Sequence, residues 1–542
     1  MQIKSNYIDI FNQQIFAAEI SIENGKIKSI VKINEAVETY ILPGFVDAHV
    51  HIESSMLVPT EFAKIAVIHG TVATVSDPHE IANVLGKAGV YYMLENAKKS
   101  PLKFYFGAPS CVPATTFETA GAVVNADDID ELMSLDDIKY LAEMMNYPGV
   151  LHRDKLVMDK ITIAQKHNKP IDGHAPGLTG HEALQYISAG ITTDHECFTF
   201  EEAKFKLEHG MKVLIREGSA AKNFNALIDL LHEYPDDMMF CSDDKHPDDL
   251  LFGHINDLVK RAVNKGVSLF NVLKAACVNP VLHYQLNVGL LRVGDEADFI
   301  RINNLEDFSI VETYIGGHCV VKNKQDFIET KPEKIVNNFG VKLKRKEDFN
   351  LTVKQEKVRV IEAIDGQLIT QEYIGKIVVD NDCYAHANIE DDILKMVVVN
   401  RYHDAPIAVA FVKNFGLKNG AIASSVAHDS HNIIAVGVND DCICRAVNTI
   451  IAAQGGLVVV DEENCDILPL PVAGLMSNLS CIEVAEKYTV LVNKSKSLGC
   501  TLHSPFMTLS FMALLVIPNL KLSDKGLFDA IRFQFCDIEI KD

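Results

Sequence analysis

Two histidines two residues apart, His49 and His51, close an apolar stretch that begins after Pro43-Gly44. Side chains alternate along a strand, so positions i and i+2 share a face and two imidazoles can meet one metal ion. A pair alone suits a single zinc with one position left open. Further imidazoles and carboxylates stand where later strand-like runs end: Glu143, His174, His195 and Asp243. Four histidines, a bridging carboxylate and a terminal aspartate suit two divalent ions a few ångströms apart. Such a pair clamps a hydroxide and stabilises charge on the group attacked. Imidazole and carboxylate ligands without thiolate admit zinc, iron or manganese.

These residues converge only if a fold brings many strand ends together. From residue 43 to 284 strand-like and helix-like stretches alternate over roughly 240 residues, close to the size of a (β/α)8 barrel. The candidate strands are Phe45–His49, Thr71–Ser76, Lys103–Pro109, Ile138–Met144, Ile171–Gly173, Ile191–Asp194, Lys212–Ile215 and Met238–Cys241. Barrel active sites gather at the C-terminal ends of the strands, which is where the ligand candidates fall. Before the barrel, residues 1–42 hold short alternating strands and a hairpin signal at Asn24-Gly25. A matching set returns over 285–325. Because a barrel's two ends meet, both sets are expected to form one discontinuous flanking β domain. The Lys- and Glu-rich stretch 326–356 reads as a linker or solvated edge, and 357–542 as a C-terminal domain, α/β or α+β.

Composition narrows the partners. The chain has 542 residues, too many for one core, and 48% hydrophobic with 23% charged residues is ordinary for a water-soluble globular protein. A net charge of −22 argues against nucleic acid or an anionic membrane, since phosphate recognition needs clustered Lys and Arg. A small neutral or cationic substrate stays compatible. Twelve cysteines without a Cys-x-x-Cys pair read as reduced thiols of a cytoplasmic protein. The most apolar piece, Phe511 to Ile517, is too short to span a membrane and reads as core.

Several phrases together resemble the bacterial adenine deaminase family of the amidohydrolase superfamily. They are His49-Val50-His51-Ile52-Glu53-Ser54-Ser55, Asp77-Pro78-His79-Glu80-Ile81-Ala82-Asn83-Val84, Glu143-Met144-Met145-Asn146, Gly173-His174-Ala175-Pro176-Gly177, Asp194-His195-Glu196, Ser242-Asp243-Asp244 and Ser425-Val426-Ala427-His428-Asp429-Ser430-His431-Asn432. The likeness covers nearly the whole chain. It implies an α/β metal-dependent hydrolase barrel that converts free adenine to hypoxanthine and ammonia. The expected cofactor is two divalent metal ions, manganese or iron ahead of zinc, on His49, His51, Glu143, His174, His195 and Asp243. Many relatives bridge their metals with a carboxylated lysine on strand four; here Glu143 takes that place, with Glu118 as the rival bridge.

Deaminating a purine needs a nucleophile at the amino-bearing carbon, a proton for the neighbouring ring nitrogen and a proton for ammonia. Asp243 is expected to take and pass on the proton of the attacking water. Glu196 is the candidate acid for the ring nitrogen, raised by burial, or else an outer support of His195. Glu118, Arg216, Asp77 and His79 are further candidates for substrate contact. For Asp77 and His79 a helix cap, and for Arg216 a structural ion pair, are alternatives. His428 and His431 read as a polar junction between the C-terminal domain and the barrel mouth. Adenine and water are the expected partners, with self-assembly into a dimer. A related hydrolase of cyclic amides and a non-catalytic binding protein on a degenerate barrel are the alternatives.

Overall fold

In the computed structural model, which describes residues 1–329 and 334–540, eight parallel strands close into a barrel. They are β1 (Phe45–Val50), β2 (Thr71–Ser76), β3 (Lys103–Ala108), β4 (Ile138–Met144), β5 (Ile171–Gly173), β6 (Thr193–Asp194), β7 (Lys212–Arg216) and β8 (Met238–Cys241). Neighbours pair in sequence order from β1 to β5 and from β6 to β8. The two runs join where Thr192 N donates to Ile171 O at 2.8 Å, and the barrel closes where Asp243 N donates to His49 O at 2.9 Å. Every residue of β1, β2 and β8 is buried, the continuous apolar signature of parallel strands covered on both faces. The expected sixth strand, Ile191–Asp194, is shorter than the sequence implied: ladder pairing with β7 covers only Thr193 and Asp194.

Helices follow the strands; Pro59–Ile68 is buried almost all round, whereas others bury a single stripe. In Ile255–Asn264, after β8, the buried positions are Ile255, Leu258, Val259 and Ala262, a spacing of three and four that sets one helical face against the barrel. Ala126–Met133 starts with a capping box in which Asn125 Oδ1 accepts from Asp128 N and Asp128 Oδ2 accepts from Asn125 N, both at 3.0 Å.

One eight-stranded sheet combines Gln2–Asp9, Gln14–Glu23, Lys26–Lys32 and Tyr40–Pro43 with Phe299–Ile302, Ile310–Ile315, His318–Lys322 and Gln325–Asp326. Its seam is the antiparallel pairing of Tyr40–Pro43 with Phe299–Ile302. Strands from both sides of the barrel segment therefore share one sheet.

A second eight-stranded sheet lies beyond residue 357, antiparallel except where Lys357–Ala363 runs parallel to Ala408–Lys413. The helix Asp440–Ala453 covers one face through Ile443, Ala446, Val447 and Ile450. This is an α+β arrangement. Residues 330–333 of the expected linker, and 541–542 of the C-terminal domain, lie outside the described residues. The rest of that linker is more than a solvated edge: Val341 and Phe349 enter the core under Asp440–Ala453, and Lys344 is buried with its Nζ on Asp404 Oδ1. No helix among the described residues is long and apolar enough to cross a membrane.

Candidate metal centre

β1 and the residue after it place Asp47, His49 and His51 on one face. At the bottom, Asp47 accepts from Ser242 N at 3.0 Å and from His254 Nε2 at 2.7 Å, which ties β1 to the end of β8. Above it the Nε2 atoms of His49 and His51 stand 3.1 Å apart. Asp243 follows β8 with φ of +52°, a left-handed backbone that is uncommon outside glycine and asparagine-like residues. That turn aims its Oδ1 at His51 Nε2 (3.2 Å) and His49 Nε2 (3.5 Å).

Glu143, near the end of β4, faces all four histidines. Its Oε2 lies 2.8 Å from His174 Nδ1 and 3.0 Å from His195 Nε2, and its Oε1 lies 3.5 Å from His51 Nε2. His174 is brought in by close strand contact: a Cβ on Gly173 would sit 2.3 Å from Thr193 O. Asp194 accepts from Ala175 N (3.2 Å) and Glu196 N (3.1 Å), fixing the chain after His174 and His195. Burial alone would raise Asp194, but the buried Lys206 ammonium outweighs it and holds the carboxylate below its usual range.

Arg216, the last residue of β7, reaches between two carboxylates. Its Nη1 contacts both Glu196 Oε1 and Asp243 Oδ2. Glu196 Oε1 is also 3.5 Å from His174 Nδ1, whereas its Oε2 is buried with no hydrogen-bond partner among the described residues. Arg216 therefore joins the two carboxylates that the sequence singled out for proton transfer. His79 Nδ1 stands 3.1 Å from Asp77 Oδ2 and 3.5 Å from Glu143 Oε1. Asp77 also starts the helix His79–Leu85 by accepting from His79 N, and its carbonyl faces His51 Nδ1 at 3.3 Å. Glu118 is elsewhere: its Oε1 accepts from Thr115 N and Oγ1, both at 3.1 Å, and it stands outside the cavity wall.

The cavity over these groups is completed by the C-terminal domain, through Leu368, His428, Asp429, Phe511 and Leu514. Glu80, on the first turn after β2, holds this roof down. Its Oε1 accepts from His428 Nδ1 at 2.5 Å and its Oε2 pairs with His431 Nε2. His428 in turn stacks on Phe511 with ring centroids 4.6 Å apart. The piece from Phe511 to Ile517 is core, as expected, and also roof.

Charge decides whether cations fit. Six carboxylates line the cavity (Glu80, Glu143, Glu196, Asp243, Asp244 and Asp429), with one guanidinium and the imidazoles of His51, His79, His174, His195 and His428. Buried charges of one sign need a counter-charge or a metal. Burial works to raise Glu143 and Asp243, yet His174 beside the first and Arg216 beside the second hold both well below the usual carboxylate range. Ionised oxygens and converging ring nitrogens make a donor set for hard or borderline divalent cations. Groups of such donors meet within 4.8 Å: His49, His195 and Asp243; Glu143, His174 and His195; His51, Asp77, His79 and Glu143.

Residues 40–320 match the Amidohydrolase family, and residues 367–534 match the Adenine deaminase C-terminal domain. The adenine deaminase of Sulfurovum sp. (strain NBC37-1) is 56% identical over 99% of both chains. That of Borreliella burgdorferi is 53% identical over 99% of both, and that of Methanosarcina mazei 52% identical over 98% of both. The chain belongs to the adenine deaminase family. Its barrel is therefore an amidohydrolase barrel, of a metal-dependent family, and the expected fold class holds. The C-terminal match spans the roof residues, so in this adenine deaminase family member both matched regions line one cavity.

Sequence reasoning named most of the strand-end residues of this cavity, though not Met145, and missed Glu80, Asp244 and Asp429 as wall residues. All three sit beside named residues, in Asp77-Pro78-His79-Glu80, Ser242-Asp243-Asp244 and His428-Asp429, and adjacency was the signal available. Leu368, Phe511 and Leu514 carried none, because apolar residues in a distant domain do not show what they cover.

Proposed function

We propose that the chain hydrolyses free adenine to hypoxanthine and ammonia, with His49, His51, Glu143, His174, His195 and Asp243 holding two divalent ions. The observation that carries this is the placement of Glu143, whose Oε2 faces His49, His174 and His195 while its Oε1 faces His51. A carboxylate so shared suits a bridge between two cations. Family membership at 56% identity across the whole chain supports the substrate. The chemistry that bound divalent ions contribute there is activation of water near neutral pH.

The chain's own groups move the protons. Asp243 accepts the proton released as water adds to C6, and Glu196 donates from Oε2 to N1 of the ring. Asp243 then protonates the departing amino group, the C6–N bond breaks and ammonia leaves. The proton left on the new C6 oxygen returns to Glu196, giving hypoxanthine. Arg216, touching both carboxylates through one nitrogen, holds them next to each other. His79 and Asp77 hold the wall beside Glu143, and Glu118 holds the turn at Thr115.

The metal is proposed as manganese or iron, and the assembly as a homodimer. A cytoplasmic setting is supported by twelve free cysteines, seven of them buried. The domain division proposed is 1–42 with 285–325, 43–284, 326–356 and 357–542. Ammonia release from a panel of free bases and nucleosides, with manganese, iron or zinc supplied, tests the activity. Turnover of adenine far above that of every other compound is expected; ring opening of a cyclic amide in its place would reject the reading. Metal analysis should find close to two ions per chain, and a fully active metal-free preparation would reject the two-metal centre.

A further inference from the structure

Asp429 has no part in the proton transfers above, yet it lines the cavity and is 3% exposed. It comes from the C-terminal domain. Its Oδ1 is 3.8 Å from both His79 Nε2 and His428 Nδ1, and its Oδ2 is buried without a hydrogen-bond partner among the described residues. A buried carboxylate oxygen left unpaired is costly, so such an atom on a residue that lines a cavity points to a donor on what enters it.

The position of Asp429 relative to Glu196 says which donor. Glu143 divides the site: Oε2 faces His174 and His195, the Glu196 side, and Oε1 faces His51 and His79, the Asp429 side. In adenine the reacting C6 has N1 on one side and the imidazole ring on the other. If N1 meets Glu196, the imidazole ring is directed at His79 and Asp429. A free 6-aminopurine carries one N–H on that ring, at N9 or N7. A nucleoside carries none, because N9 bears the sugar and N7 is an acceptor.

Resting on the reading of the site as an adenine deaminase, we infer that Asp429 is a specificity-determining residue that accepts the imidazole-ring N–H of the base and so rejects N9-substituted purines. An unpaired buried carboxylate opposite an acceptor loses the hydrogen bond and adds repulsion, which discriminates more strongly than lost apolar contact. The C-terminal domain would then supply the group that tells a base from a nucleoside.

The test compares adenine with 9-methyladenine, a probe too small to be excluded as a sugar is. The wild-type enzyme, metal-loaded, should prefer adenine in kcat/KM by roughly 100-fold or more, the discrimination of a site built to pair a substrate N–H. Asp429→Ala should raise KM for adenine roughly 10- to 100-fold, the range for a hydrogen bond to a charged group, with kcat nearly kept. It should also shrink the adenine to 9-methyladenine ratio toward one. Asp429→Asn, which retains an acceptor oxygen, should keep part of both. A merely structural role would lower both substrates alike, and an unchanged ratio in a folded, metal-loaded variant overturns the inference. Competitive inhibition of the wild type by purine and 9-methylpurine needs no variant: equal inhibition constants overturn the inference as well. Failure of the wild type to release ammonia from adenine would instead reject the underlying activity.

Discussion

Among single residues, Glu143 carries the heaviest load, since one carboxylate faces five imidazoles. Glu143→Gln removes a negative charge between the cation positions while keeping the shape, so metal content measured by atomic emission should fall from about two ions toward none. Glu118→Gln should leave metal content intact, because its partner is Thr115. Reversed effects would move the bridge to Glu118. Glu196→Gln should lower kcat by roughly 100-fold or more, the range for a general acid, with metal content unchanged. Loss of metal in that variant would make Glu196 a support for His195 instead. Much of this set was legible in sequence, because strand-end position and residue type together restrict what a side chain can reach. Arg216 was the exception: its type fitted a substrate contact and a structural ion pair equally, and only the contact with both Glu196 and Asp243 relates it to the proposed proton path.

At the level of elements, the barrel strands were readable because short continuous apolar runs with polar ends suit strands buried on both faces and little else. Strand six was the weakest, and its shortness is the reason: two paired residues give almost no periodic signal. What compensates is close packing. Gly173 lets β5 approach Thr193 O so that His174 enters the cluster, and Gly173→Ala adds a methyl 2.3 Å from that oxygen. Backbone atoms cannot swing aside, so β5 and β6 must separate. A loss of about 1–3 kcal/mol of stability by urea unfolding is expected, as for other overpacked cores, with lower metal affinity from a displaced His174. Wild-type stability and metal content in that variant would contradict so tight a contact between the two strands. The roof was less readable than the strands, since no local period shows which distant domain covers a barrel mouth.

On the scale of the molecule, the clasp of Glu80 with His428 and His431 makes the contact between barrel and C-terminal domain pH-sensitive. Burial would lower His428, but Glu80 prevails and carries it up to about 9. A pKa raised on folding contributes stability in full below the unfolded value of about 6.5, and that contribution is lost as pH rises through about 9. Glu80 has the opposite sign: burial opposes, His428 and His431 win, and its contribution is lost as pH falls below about 4.5. His431 shifts downward, burial outweighing Glu80. The melting temperature should therefore decline between pH 6.5 and 9, more steeply in the wild type than in Glu80→Gln. Equal slopes would mean that the clasp does not set this dependence.

The seam of the flanking sheet has a consequence in time. Leu42 pairs with Ile300, so a strand made early waits for one made on the order of 260 residues later. At the usual pace of synthesis the delay is roughly 13–50 s. Until then the first four strands, rich in isoleucine, are held on the ribosome with an unpaired edge, and His49 and His51 have no Asp243 to face. A nascent chain arrested before residue 299 should be readily cut by protease within residues 1–43, and one arrested well past residue 326 should resist. Birth order thus makes a segment written before the barrel among the last to find its place.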